Sequence, residues 1–166
     1  GGDGAAGIGS GLLGNWGDIT IIDGIVTAYG GFSAAGIGSG YYGGSFSCGD
    51  ISIKGGTVNA TGGYESPGIG SGRGDEIDGV IYKSTCGNIE ISGGTVTATG
   101  TVVSCAGIGT GSYYSQCGDI TITSGVTHVT AKKGEAALNS IGLGSSKNSS
   151  CGTVTLPDDT SKVTLQ

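Results

Sequence analysis

The sequence is poor in the residues that several common classes of protein require. It has no Met, one His, two Pro, and only seven Lys and Arg against thirteen Asp and Glu. Because so few basic residues cannot neutralise a phosphate backbone, we expect no nucleic-acid partner. No apolar run is long enough to cross a bilayer, so we also expect no membrane insertion. The absence of Met leads us to expect that the chain is a module of a longer protein.

Glycine is abundant, at 39 of 166 residues, and it recurs with a period. Similar four-residue anchors begin at Trp16, Cys48, Cys86, Cys117 and Cys151, which are separated by 32, 38, 31 and 34 residues. Internal similarity at this spacing is typical of stacked-repeat proteins. Since charged residues make up only 12% of the chain, a packed interior is feasible despite the glycine content.

Each repeat contains three short apolar patterns in a fixed order. The first pattern is Ile-x-Ile, which first occurs at Ile19. The second is Val-x-Ala, which first occurs at Val26. The third is Gly-Ile-Gly, which first occurs at Gly7. In the last repeat Leu143 is taken as the central residue of the third pattern. Apolar residues two apart, bounded by Gly pairs, predict short strands that bury one face.

The repeats predict an all-β fold, namely a right-handed parallel β-helix (β-solenoid) with three short strands per coil. Residues 1–166 would form one module of about four full coils plus partial ends. A single coil buries too little apolar surface to offset the entropy of ordering it, so the coils must stack. An array of β-hairpins is the alternative, because Gly-Gly also joins hairpin strands. Hairpins, however, do not require three patterns in constant order.

The repeats differ in length mainly at one corner, in segments 12–15, 41–47, 73–85, 112–116 and 147–150. Stacking predicts that these insertions emerge along one edge, here called the insertion corner. Flat aromatic faces with polar tips suit sugar rings and partner proteins, so we predict that aromatic residues there bind a ligand. The alternative is that the rings fold back over their own coils. The predicted set holds seven of the ten aromatic residues: Trp16, Tyr41, Tyr42, Phe46, Tyr82, Tyr113 and Tyr114.

Four of the five cysteines, Cys48, Cys86, Cys117 and Cys151, share the anchor position. Neighbouring strands of a sheet lie about 4.8 Å apart, which a disulfide spans, whereas a separation of two coils is too large. The pairing that uses all four therefore joins Cys48 to Cys86 and Cys117 to Cys151, and leaves Cys105 over. The alternative is a buried stack of free thiols. Disulfides would agree with an extracellular location.

Acidic residues offer only weak candidates for a metal site, and we expect no cofactor. Asp75, Glu76 and Asp78 lie in the longest insertion, where Ca²⁺ is possible because hard cations prefer clustered oxygen ligands. A solvated loop of mixed charge is the alternative. Asp or Asn also follows the anchor glycine in four repeats, where we expect it to bond its own turn: Asp18, Asp50, Asn88 and Asp119.

The recurring segments Ala-Ala-Gly-Ile-Gly-Ser-Gly, Gly-Asp-Ile-Thr-Ile and Gly-Gly-Thr-Val-Thr-Ala-Thr-Gly cover nearly the whole chain. They resemble Gly-rich β-solenoid repeats of surface-anchored, adhesin-like or carbohydrate-binding proteins of Gram-positive gut bacteria. The resemblance implies an extracellular or cell-surface location. It also implies a glycan or a host or cell-surface protein as partner, together with neighbouring domains of the same parent chain.

These observations favour a non-catalytic carbohydrate-binding or adhesive module whose ligand contacts come from the insertion corner. One alternative is a structural spacer without a ligand, and another is a fragment of a polysaccharide lyase or hydrolase. Acid and base catalysis would need carboxylates or a His converging on one groove. Because the only His is His128 and most acids stand at separate corners, we expect no enzymatic activity.

Overall fold

The three predicted arms form three parallel sheets of five strands each. The structure is a computed structural model that describes residues 1–41, 47–145 and 147–166. The Ile sheet contains Ile19–Ile21, Ile51–Ile53, Ile89–Ile91, Ile120–Ile122 and Val154–Thr155. The Val-Ala sheet contains Ile25–Tyr29, Thr57–Tyr64, Thr95–Thr101, His128–Lys132 and Val163–Leu165. The Gly-Ile-Gly sheet contains Ile8–Gly9, Ile37–Gly38, Ile69–Ser71, Ile108–Thr110 and Ile141–Gly142.

Equivalent residues of successive repeats lie side by side in these sheets. Ile53 pairs with Ile91, and Ile91 with Ile122, in parallel register. The Val-Ala sheet follows the same rule, since Val58, Val96 and Val129 are register partners. Each repeat is therefore one turn of a stack about five turns high, which confirms the predicted parallel β-solenoid.

A fourth, shorter sheet was not predicted. It contains Ser47–Cys48, Ser84–Cys86, Ser115–Cys117 and Ser150–Cys151, so most turns have four strands instead of three. The longest insertion, residues 73–85, also forms a small antiparallel hairpin, with strands Asp75–Ile77 and Val80–Tyr82. A 3₁₀ turn, Thr160–Lys162, precedes the last strand. Among the described residues no helix is long and apolar enough to cross a membrane.

The last Gly-Ile-Gly strand corrects one sequence assignment. Ile141 pairs with Ile108, and Gly142 with Gly109, so Ile141 and not Leu143 occupies the repeated position. Leu143 stands two residues further along. Because side chains alternate with a period of two, both residues satisfy the same apolar pattern, and only the pairing of the strands distinguishes them.

The Gly-Ile-Gly arm brings neighbouring turns close together. Gly70 has φ of +134° and pairs with Gly109 on the next turn. A Cβ at Gly70 would overlap the carbonyl oxygen of Gly109. Glycine is therefore required here for its backbone conformation and for the close approach of the chains.

Buried hydroxyl groups connect the Gly-Ile-Gly sheet to the Cys sheet. Ser39 Oγ lies 2.7 Å from Ser84 Oγ, and Ser71 Oγ lies 2.7 Å from Ser115 Oγ. Buried polar groups need such partners, because an unpaired hydroxyl loses its hydrogen bonds to water. Each contact joins the start of one insertion to the end of the next, since Ser39 precedes segment 41–47 and Ser84 lies near the end of segment 73–85.

The Asp and Asn residues after the anchor glycine join successive turns. Asp18 Oδ1 accepts a hydrogen bond from the backbone N–H of Asp50, at 2.9 Å. Asp50 Oδ1 accepts from Asn88 N at 2.7 Å, and Asn88 Oδ1 accepts from Asp119 N at 2.9 Å. The expectation that these side chains bond their own turns was wrong. Each one bonds the next coil, because equivalent corners are stacked directly.

Candidate binding surface at the insertion corner

The described parts of the insertions lie next to one another along one edge of the solenoid, as predicted. Gly74 N donates a hydrogen bond of 2.9 Å to the carbonyl oxygen of Tyr113, one turn further along. Tyr114 N donates in turn to the carbonyl oxygen of Lys147, at 3.2 Å. The sequence therefore located the edge correctly, although it did not show what the loops do there.

Arg73 is the centre of the insertion corner. Its Cζ atom lies 5.8 Å from the centroid of the Tyr41 ring and 5.3 Å from that of Tyr113. Lys147 Nζ lies 4.8 Å from the Tyr113 centroid. Cations at these distances are attracted to the negative face of an aromatic ring. The corner is thus an alternating series of rings and cations contributed by successive turns.

Two carboxylates neutralise Arg73. Its Nη2 lies 3.0 Å from Asp75 Oδ2, and its Nε lies 3.2 Å from Glu65 Oε2. The contact with Glu65 is an ion pair without hydrogen-bond geometry. Tyr41 donates its hydroxyl to Asp75 Oδ2 at 3.0 Å, and Ser112 donates to Glu65 Oε2 at 2.9 Å. The arginine side chain is consequently held in place from both sides.

Tyr113 and Tyr114 adopt a backbone conformation that is unusual for bulky residues. Their φ angles are +51° and +41°, in the left-handed region. Such conformations cost about 1–3 kcal/mol and persist only where the surroundings hold them. The Tyr114 hydroxyl donates to Glu76 Oε2, and this hydrogen bond raises the pKa of Tyr114. The turn therefore presents two adjacent rings, each in contact with a neighbouring insertion.

An open cleft of about 350 Å³ lies beside this series, near the start of the chain. It is lined by Asp3, Gly4, Leu12, Phe32 and Tyr41. Phe32 is 53% exposed and Leu12 is 50% exposed, so both present apolar surface to solvent. The cleft combines two aromatic rings, one aliphatic side chain and one carboxylate. This composition is typical of small-molecule sites, in which apolar walls carry a few polar groups.

Phe32 and Tyr64 extend the aromatic surface, and sequence reasoning missed both. Their rings are parallel with centroids 5.4 Å apart, and Phe32 also meets Tyr41 edge-on at 6.0 Å. Each of the two residues directly follows a Gly-Gly pair, Gly30-Gly31 or Gly62-Gly63. This shared repeat position was the available signal, because stacking places residues with equal repeat positions side by side.

The other predicted aromatic residues are placed less uniformly. Trp16 is 57% exposed and lies outside any strand. Tyr82 is half-buried in the hairpin, where it pairs in register with Asp75. Tyr42 and Phe46 lie outside the described residues. Of the predicted set, the structure therefore brings Tyr41 and Tyr113 together around Arg73, with Tyr114 beside them.

The weak calcium candidates do not form a cluster in the described structure. Asp75 is engaged by Arg73 and Tyr41, and Glu76 by Tyr114. Asp78 stands in the hairpin turn with φ of +51°. In residues 1–41, 47–145 and 147–166 no group of three or more His, Cys, Asp or Glu side chains could hold a metal ion.

The anchor cysteines are stacked as predicted, and they are free thiols in this structure. Cys48, Cys86, Cys117 and Cys151 are register partners along the Cys sheet. Burial, together with the nearby Asp18 and Asp50 carboxylates, raises the pKa of the Cys48 thiol to about 11. The predicted disulfides Cys48–Cys86 and Cys117–Cys151 stay a prediction. Cys105 is buried at a different corner, where burial raises its pKa to about 11.

Comparison with known proteins supports the coil architecture. A family model described as a beta helix repeat matches residues 19–41, 51–73 and 89–112. In its coils, the chain is similar to beta helix repeats. Each matched segment runs from an Ile-x-Ile strand through the Gly-Ile-Gly arm, so each covers three strands of one turn and leaves out the Cys-sheet strand. No curated protein and no solved structure matches the chain significantly.

Proposed function

We propose that the chain is a non-catalytic carbohydrate-binding or adhesive module of a secreted or cell-surface protein. The observation that carries the proposal is the cleft lined by Asp3, Leu12, Phe32 and Tyr41. Exposed ring faces pack against the C–H faces of sugar rings, and a carboxylate accepts hydrogen bonds from sugar hydroxyls. The walls are turns that hydrogen-bond to one another, since Tyr41 N donates to the carbonyl oxygen of Gly4 at 2.9 Å. This connection limits the entropy lost on binding.

Charge favours neutral glycans over acidic ones. The chain has a formal net charge of −6, and Asp3 is the charged residue that lines the cleft. A sulfated or uronic-acid polymer would be repelled by this field, whereas a neutral hexose polymer would not. The only guanidinium at the corner, that of Arg73, is already paired with Glu65 and Asp75.

A glycan array probed with the wild-type chain and with Phe32→Ala tests this proposal. We expect the wild type to retain neutral oligosaccharides, and Phe32→Ala to bind them roughly tenfold or more weakly, since truncating a central aromatic contact costs at least about 1–2 kcal/mol. Tyr29→Ala is the matched control, because Tyr29 is an exposed aromatic residue on the Val-Ala sheet, outside the cleft. Equal binding by all three proteins would contradict the assignment of the cleft.

The second candidate function is a structural spacer. It is favoured by a specific observation, namely that Tyr41 and Tyr113 enclose Arg73 of their own chain. Rings that contact Arg73 in this way stabilise the corner and need no ligand. Absence of binding to any glycan, combined with a loss of stability when Tyr113 is replaced by Ala, would support the spacer.

A further inference from the structure

The cysteine stack contains a thiol with a thiol partner on either side. Cys117 Sγ lies 3.7 Å from Cys86 Sγ on the preceding turn. On the following turn, Cys151 is the register partner of Cys117. The backbone register places each pair on adjacent parallel strands, about 4.8 Å apart, within the Cα separation that a disulfide accepts. Cys117 can therefore bond to either neighbour without a large movement of the backbone.

Access from solvent differs along the stack. Cys48, Cys86 and Cys117 are buried, whereas Cys151 is half-buried and belongs to the last strand of the Cys sheet. Cys151 also borders an open groove of about 300 Å³ that is lined by Ile141, Gly142 and Val154. A reagent from solvent would consequently meet Cys151 before the three buried thiols.

We propose that Cys151 and Cys117 form an oxidation site, in which Cys151 reacts first with a low-molecular-weight disulfide and Cys117 resolves the product. With oxidised glutathione, the Cys151 sulfur bonds to one glutathione sulfur and the other leaves as a thiolate. Cys117 then attacks the Cys151 sulfur, forms the Cys117–Cys151 bond and releases the second glutathione. Each cysteine proton ends on a departing glutathione. Two protein thiols are oxidised while one glutathione disulfide is reduced to two thiols.

The position of the disulfide can then move along the stack. Cys86 can attack the Cys117 sulfur, so that a Cys86–Cys117 bond forms as the Cys117–Cys151 bond breaks. The proton of Cys86 passes to the released Cys151, and no net oxidation occurs. This exchange distinguishes the proposal from two fixed bridges, Cys48–Cys86 and Cys117–Cys151, because Cys117 is shared between two partners.

The surroundings of the thiols affect the rate of oxidation. A hydrogen bond with Cys117, together with burial, raises the pKa of Cys151 above its usual range. For Cys117, a hydrogen bond from Cys151 lowers the pKa. The hydrogen bond to Cys86 and burial raise the pKa by more, so the net shift is upward. Since the thiolate is the reactive form, oxidation is slow at neutral pH and accelerates as the pH rises.

Mass spectrometry of the whole folded chain treated with oxidised glutathione tests the proposal. The sample is acid-quenched, alkylated and digested without reduction. We expect Cys117–Cys151 and Cys86–Cys117 peptides from the wild type. Both Cys117→Ser and Cys117→Ala should retain glutathione on Cys151, because the resolving thiol is missing. Cys151→Ser should oxidise at least roughly tenfold more slowly, since the remaining thiols of the stack are buried.

Cys105→Ser is the matched control, because Cys105 is buried outside the stack, and its oxidation products should equal those of the wild type. A second control is the wild type unfolded in denaturant, which should react at all five cysteines. Oxidation of the folded wild type at Cys48 and Cys86 alone would overturn the proposal. So would the lack of a glutathione adduct on Cys151 in both Cys117 variants.

Discussion

Ile53 inside the coil and Tyr41 at the insertion corner are held in place in different ways. Ile53 is buried between Ile21 and Ile91, which occupy the same position one turn away on either side. Tyr41 instead contacts residues of other types, namely Phe32 by its ring edge and Arg73 over its face. Repetition therefore explains the interior, whereas the corner depends on contacts that occur once.

The difference shows how one chain combines a rigid stack with a variable surface. Interior side chains must match the turns above and below, because every strand between the two edges of a sheet hydrogen-bonds to both. Corner segments connect strands that are already fixed, so their length and composition can change from turn to turn. The binding surface proposed above could therefore vary while the solenoid stays the same.

The largest expected effect that tests this comparison comes from Ile91→Ala. Ile91 is fully buried between Ile53 and Ile122, so its truncation would leave a cavity shared by three turns. We expect the free energy of unfolding to fall by about 2–5 kcal/mol. Urea denaturation measures this loss. Ile25→Ala is the control, because Ile25 is 85% exposed and its change should stay within about 0.5 kcal/mol.

An intermediate effect is expected at Asp50, whose carboxylate links two turns. Asp50→Ala removes the acceptor for Asn88 N and should lower the free energy of unfolding by about 1 kcal/mol. Asp50→Asn keeps an acceptor oxygen, as Asn88 does naturally on the next turn, and should change stability by less than about 0.5 kcal/mol. Thermal and urea unfolding of the two variants compare them directly. Equal losses would mean that the charge, and not the hydrogen bond, is important.

The smallest expected effect is at the corner itself. Arg73→Ala removes two ion pairs and two ring contacts, but the side chain is still partly exposed to solvent. Because the three side chains are 13–26% exposed, water can enter the space left by the arginine and solvate Glu65 and Asp75. We therefore expect a loss of at most about 1 kcal/mol, and less at high salt. Urea denaturation at low and high salt checks this. A loss as large as that of Ile91→Ala would remove the distinction between interior and corner.

Individual residues show how far the sequence could predict the structure. The Ile-x-Ile and Val-x-Ala rows were predicted correctly. Apolar residues recur every two positions within an arm, and each arm recurs once per coil, so little choice of register is left. Leu143 was assigned wrongly, since Ile141 fits the same alternation. The edge location of Tyr41 and Tyr113 was predicted, whereas Phe32 and Tyr64 were missed because they lie outside the length-variable segments.

By itself, the sequence determined which residues stack. Identical apolar patterns can all be buried only if successive copies lie on one another, so the rows of Ile, Val and Cys follow from the repeat alone. Only the tertiary structure decided how Arg73 meets Tyr41 and Tyr113, and which thiol Cys117 touches. Such contacts depend on side-chain directions and loop paths, which differ in each turn and therefore leave no periodic signal.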